Sequence, residues 1–489
     1  MIPKHLLPSL LCLSSVAFAH SGGTVIAPYG NSTPGRGGYS PDIWATGHPS
    51  PGQTAFALTL DQGVGGAPAL LVAGSGPAAL PVFGMTLNVD LFKPGFFVAW
   101  TGVLSGSSGV GGAGSATAPL PIPGIATLVG IQLHTQFVVL DSGAPQGLAA
   151  SRGLRVGINK GALAVACGHR HLSSYDYLTK KSVNDGTGSS PDDCQFNVAG
   201  TLLLTTGRDG GSSPVLEIYD ATVSPLKKLK TVSLGSGAAN HLMVHPDDKR
   251  AYVTVNDTTA ALNYVHIVDI DPTSKTFGTK IGQVKGLATG KRIFEGGSIS
   301  GSGRVLALAE FAFSGTPNIH IVDVQPGSPN RDTVTKVIPL PGVGSMLTDV
   351  DLDEAGINAY VCAASLSQSS TYAQVFIPTG KVTKVVPMGS TALFPTDIDI
   401  DPRGRFLVVS CPNSRNLLYL SLTPGTTFMQ PRVFTAASKA QPFSVALTPD
   451  ARTAIAATMS DGIWAWDVAT GNIVWSVSPN GGGDAIAVR

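Results

Sequence analysis

The 489-residue chain has no Gly-x-Ser-x-Gly elbow, no phosphate-binding loop and no Cys-x-x-Cys pair. The usual sequence marks of an α/β serine hydrolase, a nucleotide-binding enzyme and a dithiol redox protein are therefore missing. Charged residues make up only 13% of the chain and they balance, 32 Lys+Arg against 31 Asp+Glu. That balance leaves no basic footprint for nucleic acid or for an anionic membrane. Beyond the first residues, no run approaches the ~18 uninterrupted apolar positions a membrane-spanning helix needs, so no transmembrane segment is expected. Cysteine is scarce, five in all.

What is present begins with an export signal. Lys4 and His5 give a basic start, residues 6–16 are mainly apolar, and Ala17-Phe18-Ala19 places small residues at a cleavage site. Residues 1–19 read as a signal peptide, and the product as an exported protein that is periplasmic, cell-surface or extracellular. Cys12 follows Leu10-Leu11, where a lipid-anchoring signal wants a small residue. The other four cysteines, Cys167, Cys194, Cys362 and Cys411, allow three disulfide connectivities. All four fall in or beside expected strands, where a free thiol packs as a small apolar group. If one pair bonds, Cys167 with Cys194 is favoured, because they belong to neighbouring repeats.

Composition changes near Ile158. Residues 21–158 hold eight charged residues and 27 glycines, whereas the 331 residues that follow hold 54 charges. Residues 20–158 are expected to form a Gly-rich β-sandwich-like domain: Phe56, Leu58 and Leu60 alternate with smaller residues as a half-buried strand requires, and Gly and Pro separate the runs. Residues 105–118 are almost wholly Gly, Ser, Ala and Thr and are expected to be a mobile loop. This composition resembles a Gly/Ala/Pro-rich module of large exported bacterial proteins, a likeness that implies no activity.

Residues 159–489 repeat. Short apolar β-type runs start at Ala162, Leu202, Ala251, Val305, Ala359, Phe406 and Ala454, with spacings of 40, 49, 54, 54, 47 and 48 residues. Four strands per ~40–50 residues is the signature of a propeller blade. The next run in most repeats ends in Asp: Asp176, Asp220, Asp269, Asp323 and Asp467. Pro339 and Pro387 suit outer edge strands, where a missing amide hydrogen breaks no ladder. The first repeat has no innermost strand of its own, while residues 484–488 form an orphan strand of the right type. The fold class is thus all-β: a seven-bladed β-propeller closed by the C-terminal strand, with an N-terminal β-sandwich-like domain.

The segment Ala251-Tyr252-Val253-Thr254-Val255-Asn256, after the turn His245-Pro246-Asp247-Asp248-Lys249-Arg250, resembles the YVTN-repeat and lactonase-like seven-bladed propellers over residues 159–489. That resemblance implies the fold, and it admits sugar-lactone hydrolases, dehydrogenase subunits and non-enzymatic surface proteins alike.

In a propeller, residues entering each innermost strand and leaving each second strand converge on one face around the channel. Those positions supply His169, His171, Arg208, Asp209, His241, Asn256, Asp257, Glu310 and Asn413. His241, Arg208 and Glu310 are the candidates for lactone opening, where a His or an acid activates water and an Arg holds the developing oxyanion. His169, His171, Asp209, Asn256, Asp257 and Asn413 are the candidate binding residues; the two alternate histidines could also share a zinc or copper ion. Asp349-Val350-Asp351 and Asp397-Ile398-Asp399 lie 48 residues apart and would place up to four carboxylates in one region. Hydrogen bonds would satisfy them, or a cation would, and oxygen-only ligands suit calcium. The reading is an exported binding or scaffolding module that takes an unknown protein or small-molecule ligand at its channel face. The rival is a lactonase-like hydrolase.

Overall fold

The computed structural model describes residues 25–168, 171–185, 189–209, 213–257, 262–287, 293–312, 315–364, 370–389, 393–422, 432–435, 440–459, 462–477 and 483–489. The expected signal peptide, residues 1–19, and His169 lie outside the described residues, and of Asp209 and Asp257 only the backbone is described. The chain divides into two compact units, residues 24–162 and 163–489.

In the first unit, alternation of large apolar and small residues produces strands with one buried face. A six-stranded sheet contains Ile26–Tyr29, Gly153–Gly157, Gln132–Leu140, Pro68–Gly74, Phe97–Val103 and Leu148–Ala150; a three-stranded sheet contains Asp42–Thr46, Ala57–Val64 and Gly111–Pro119. Ile43, Trp44, Leu58 and Leu60 from the small sheet, with Phe56 just before its middle strand, pack with Leu71, Phe137, Val139 and Leu154 from the large one, which makes a sandwich. Here the loop expected over residues 105–118 is corrected: Gly111–Pro119 is a strand paired with Ala57–Val64. Its lack of side chains is what permits the pairing. A Cβ on Gly114 would lie 2.7 Å from the Val64 carbonyl group, so only glycine lets these backbones approach.

The second unit is a seven-bladed propeller. Each blade is a four-stranded antiparallel meander, and the innermost strands are Ala485–Val488, Ser189–Phe196, Ala238–Val244, Ile293–Ile299, Met346–Leu352, Asp397–Ile400 and Pro442–Leu447, in blades one to seven. Blade one takes its innermost strand from the C-terminus: Ala164 pairs with Val488 and Cys167 with Ala485. Blades four and five also join directly through Phe311 and Met346. Apolar clusters fill the seams between blades, such as Ala307, Ile319, Leu347, Val350, Val361 and Ala373 between blades four and five. The aspartates that close the third strands cap the turns that follow, Asp220 accepting from the Thr222 amide at 2.8 Å and Asp467 from that of Thr470 at 2.7 Å. Thr333–Pro339 and Lys381–Pro387 are outermost strands ending in proline. No helix among the described residues is long and apolar enough to cross a membrane.

Candidate functional site

The innermost strands share a register set by their ends. Each finishes on a polar residue at the first hairpin turn: Asn197 accepts from the Thr201 and Leu202 amides, Asp353 from those of Ile357 and Asn358, Asp401 from the Arg405 side chain, and Thr448 from the Thr453 amide. His245 and Ser300 occupy the same place in blades three and four. Four residues before these caps stand Asp193, His241, Gly296, Asp349, Asp397 and Ser444.

All of these but Gly296 reach into the next blade through their side chains. Asp193 accepts from the Leu242 amide at 2.7 Å, Asp349 from Ile398 at 3.2 Å, Asp397 from Val445 at 2.8 Å, and Ser444 from Ile486 at 3.3 Å. His241 donates through Nε2 to the Gly297 carbonyl at 2.7 Å. Two residues further along, a second set repeats the pattern: Gln195 with the Val244 amide at 2.5 Å, Asp351 with Ile400 at 2.9 Å and Asp399 with Leu447 at 2.6 Å. An innermost strand has one ladder edge facing no fifth strand, and its buried amides need acceptors. The preceding blade supplies them. Between blades one and two the link comes from Arg489, whose guanidinium donates to the Gly200 and Ala221 carbonyls.

The four aspartates proposed as cation ligands, Asp349, Asp351, Asp397 and Asp399, are all buried and all accept backbone amides of the following blade. Asp397 also takes the Ser444 hydroxyl at 2.8 Å, and Asp351 that of Ser298 at 2.8 Å. Among the described residues, no group of three or more His, Cys, Asp or Glu side chains is arranged to hold a metal ion.

His241 is fully buried, with Nδ1 3.3 Å from Asp193 Oδ2. Because a carbonyl only accepts, Nε2 must carry a proton. Burial raises the Asp193 carboxyl well above the usual carboxylate range. Glu310 lies in another setting, on the second strand of blade four. Its Oε2 accepts from Asn318 Nδ2 at 2.9 Å and faces His320 Nε2 at 3.0 Å, with both members of the His–Glu pair buried. His320 Nδ1 has no hydrogen-bond partner among the described residues. Arg208 is half-buried on the second strand of blade two, beside Pro214 and Ser190 in register. The three candidates for lactone opening thus engage separate surroundings, and His241 and Glu310 each have a buried partner of their own.

Of the candidate binding residues, Asn256 is buried and brackets the Phe294 backbone, accepting its N–H at 3.3 Å and donating to its carbonyl at 3.4 Å. His171 and Asn413 are exposed. Sequence reasoning passed over Asp193, His320, Asn318 and Glu295. Counting back from the turn caps would have found Asp193. Nothing local marks Glu295, which sits at a bulge between Phe294 and Gly296. It is 5% exposed, its Oε2 meets no partner among the described residues, and burial pushes its carboxyl up to about 8.

No family model matches the chain, and no curated protein matches it. Among solved structures, a chain of a mitotic checkpoint complex is similar at 14% identity and a TM-score of 0.49, covering 63% of this chain and 86% of that one. Hydrazine synthase of Kuenenia stuttgartiensis is similar at 14% identity and a TM-score of 0.48, covering 71% of this chain and 92% of that one.

Proposed function

We propose that this protein is an exported binding module that uses the propeller face at which the innermost strands begin. The observation that carries this reading is the hydrogen bonding of the inner strands. His241 and the repeated aspartates, the groups best suited by type to acid–base chemistry, are buried and spent on bonds between blades, while His171 and Asn413 face solvent. Export rests on the basic start, apolar run and small-residue cleavage site of residues 1–19. The likeness of residues 245–256 to YVTN-repeat propellers is compatible with a surface or envelope role and with the lactonase-like rival.

One observation favours the lactonase-like alternative. In the Glu310–His320 pair a carboxylate faces an imidazole at 3.0 Å, a pairing that acid–base catalysis uses once substrate or water can reach it. Assay of the purified protein against a panel of aldonolactones separates the two. The binding reading predicts no turnover above the uncatalysed rate. Turnover that falls about 10²-fold in His320→Ala or Glu310→Ala would establish the hydrolase instead. The His171→Ala and Asn413→Ala variants should keep the wild-type melting midpoint, as solvent-facing positions do.

A further inference from the structure

Blade one is built from two distant pieces of chain, and its seam with blade two contains two thiols. Cys167 lies on the second strand of blade one, paired with Ala485 of the C-terminal strand. Cys194 lies on the innermost strand of blade two, and its thiol reaches back to the Val165 carbonyl of blade one at 3.5 Å. Val165 and Cys167 share a face of their strand by period two. Both are fully buried, free thiols in one apolar cluster with Val165, Leu172, Phe196, Leu203 and Tyr219. The other two cysteines differ. Cys362 meets the Thr348 hydroxyl at 3.2 Å, and Cys411 lies in the separate apolar cluster between blades five and six.

We propose that Cys167 and Cys194 form a disulfide that fastens blade one to blade two. The chemistry is exchange with a small disulfide such as oxidised glutathione. One cysteine thiolate attacks a sulfur of that reagent and expels one thiol, giving a mixed disulfide. The second thiolate then attacks the protein sulfur of the mixed disulfide and expels the other thiol. Two protein thiols are oxidised, one reagent disulfide is reduced to two thiols, and the two cysteine protons leave with them. Burial raises the Cys167 thiol well above its ordinary range and keeps reagents out of the seam. The bond therefore forms as the blades assemble and not in the finished propeller. Once closed, the same burial shields it from reductants. Oxidising compartments sustain such bonds, and the proposal stands apart from whether the propeller face binds or catalyses.

The test is refolding of denatured, reduced protein with oxidised and reduced glutathione, followed by unfolding in N-ethylmaleimide and peptide mass mapping without reductant. The expected result is one cross-linked peptide joining Cys167 to Cys194, with Cys362 and Cys411 alkylated. Four alkylated cysteines, or a different pairing, overturn the proposal. A second readout uses the bond's restriction of the unfolded chain. Protein refolded with the bond should melt several degrees above protein refolded in reductant, and the Cys167→Ala/Cys194→Ala double variant should show no such difference. Equal midpoints for the two wild-type preparations, despite a mapped cross-link, would overturn the fastening role.

Discussion

The two units solve the same packing problem with opposite chemistry. The sandwich has one apolar core, and its cohesion comes from side chains such as Trp44, Phe56 and Phe137 together with backbone ladders close enough to exclude all but glycine. The propeller has a separate core at each seam, and each seam must hold two blades in one register. Apolar contacts are non-directional, so they fill a seam without fixing its register. The buried Asp, His, Gln and Ser of the inner strands supply direction, because the amide one position away on the next blade points the other way, so a slip of one residue would lose every bond. Buried polar residues lining a channel are thus an architectural need here before they are a sign of chemistry.

The largest effect that would break this comparison is removal of the closing strand. Deleting residues 484–489 strips the inner edge of blade one and the Arg489 bonds to blade two, so the cooperative unfolding transition of the propeller should be lost or displaced to much lower denaturant. An unchanged transition followed by tryptophan fluorescence and circular dichroism would refute the closure. Next in size, Asp397→Ala leaves the Val445 amide and the Ser444 hydroxyl without their acceptor in a dry seam, and leaves the Ile398 amide with Asp349 alone. A loss of about 2–4 kcal/mol in urea titration is expected from unsatisfied buried donors. In the sandwich the equivalent injury is steric. Gly114→Ala pushes a methyl group against the Val64 and Gly63 backbone and should cost roughly 1–3 kcal/mol.

Glu295 sharpens the contrast through pH. Its carboxyl is raised from 4.5 to about 8 by burial, so between those values the folded state holds a proton that the unfolded state has released. Its contribution is fully present below about pH 4.5 and is lost as pH rises toward 8, with a slope of up to about 1.4 kcal/mol per pH unit. Glu295→Gln should remove that slope; equal pH profiles for the two proteins would show that the carboxyl ionises freely in the fold. The smallest expected effect is that of calcium. If the aspartates are satisfied by amides, melting midpoints with calcium and with chelator should coincide, whereas a calcium-dependent rise would restore a cation site at Asp349, Asp351, Asp397 and Asp399.

Much of the architecture was readable because blades repeat. Ala251, Val305, Ala359, Phe406 and Ala454 begin second strands or lie next to their start, and the prolines at 339 and 387 end outer ones. The strand at Gly111–Pro119 was not readable, since its Gly, Ala, Ser and Thr residues carry no apolar alternation. The aspartate pairs were visible as a motif, but their meaning was not. The donor to Asp349 is the amide of Ile398, 49 residues away, and a backbone amide has no sequence signature. Glu295 escaped for a related reason: a bulge redirects it, and bulges are set by the partner strand.

The central claim is that inner-strand carboxylates bind one blade to the next. Asp399 and the Leu447 amide, 2.6 Å apart across the seam of blades six and seven, isolate one such bond. Amide hydrogen exchange of wild type and Asp399→Ala under native conditions reads it directly. The account predicts that protection at Leu447, in the neighbouring blade, falls by tenfold or more, the equivalent of about 1.4 kcal/mol, while amides of the sandwich such as Phe137 keep theirs. Unchanged protection at Leu447 would contradict it, and would leave the aspartate ring to be explained by a ligand in the channel.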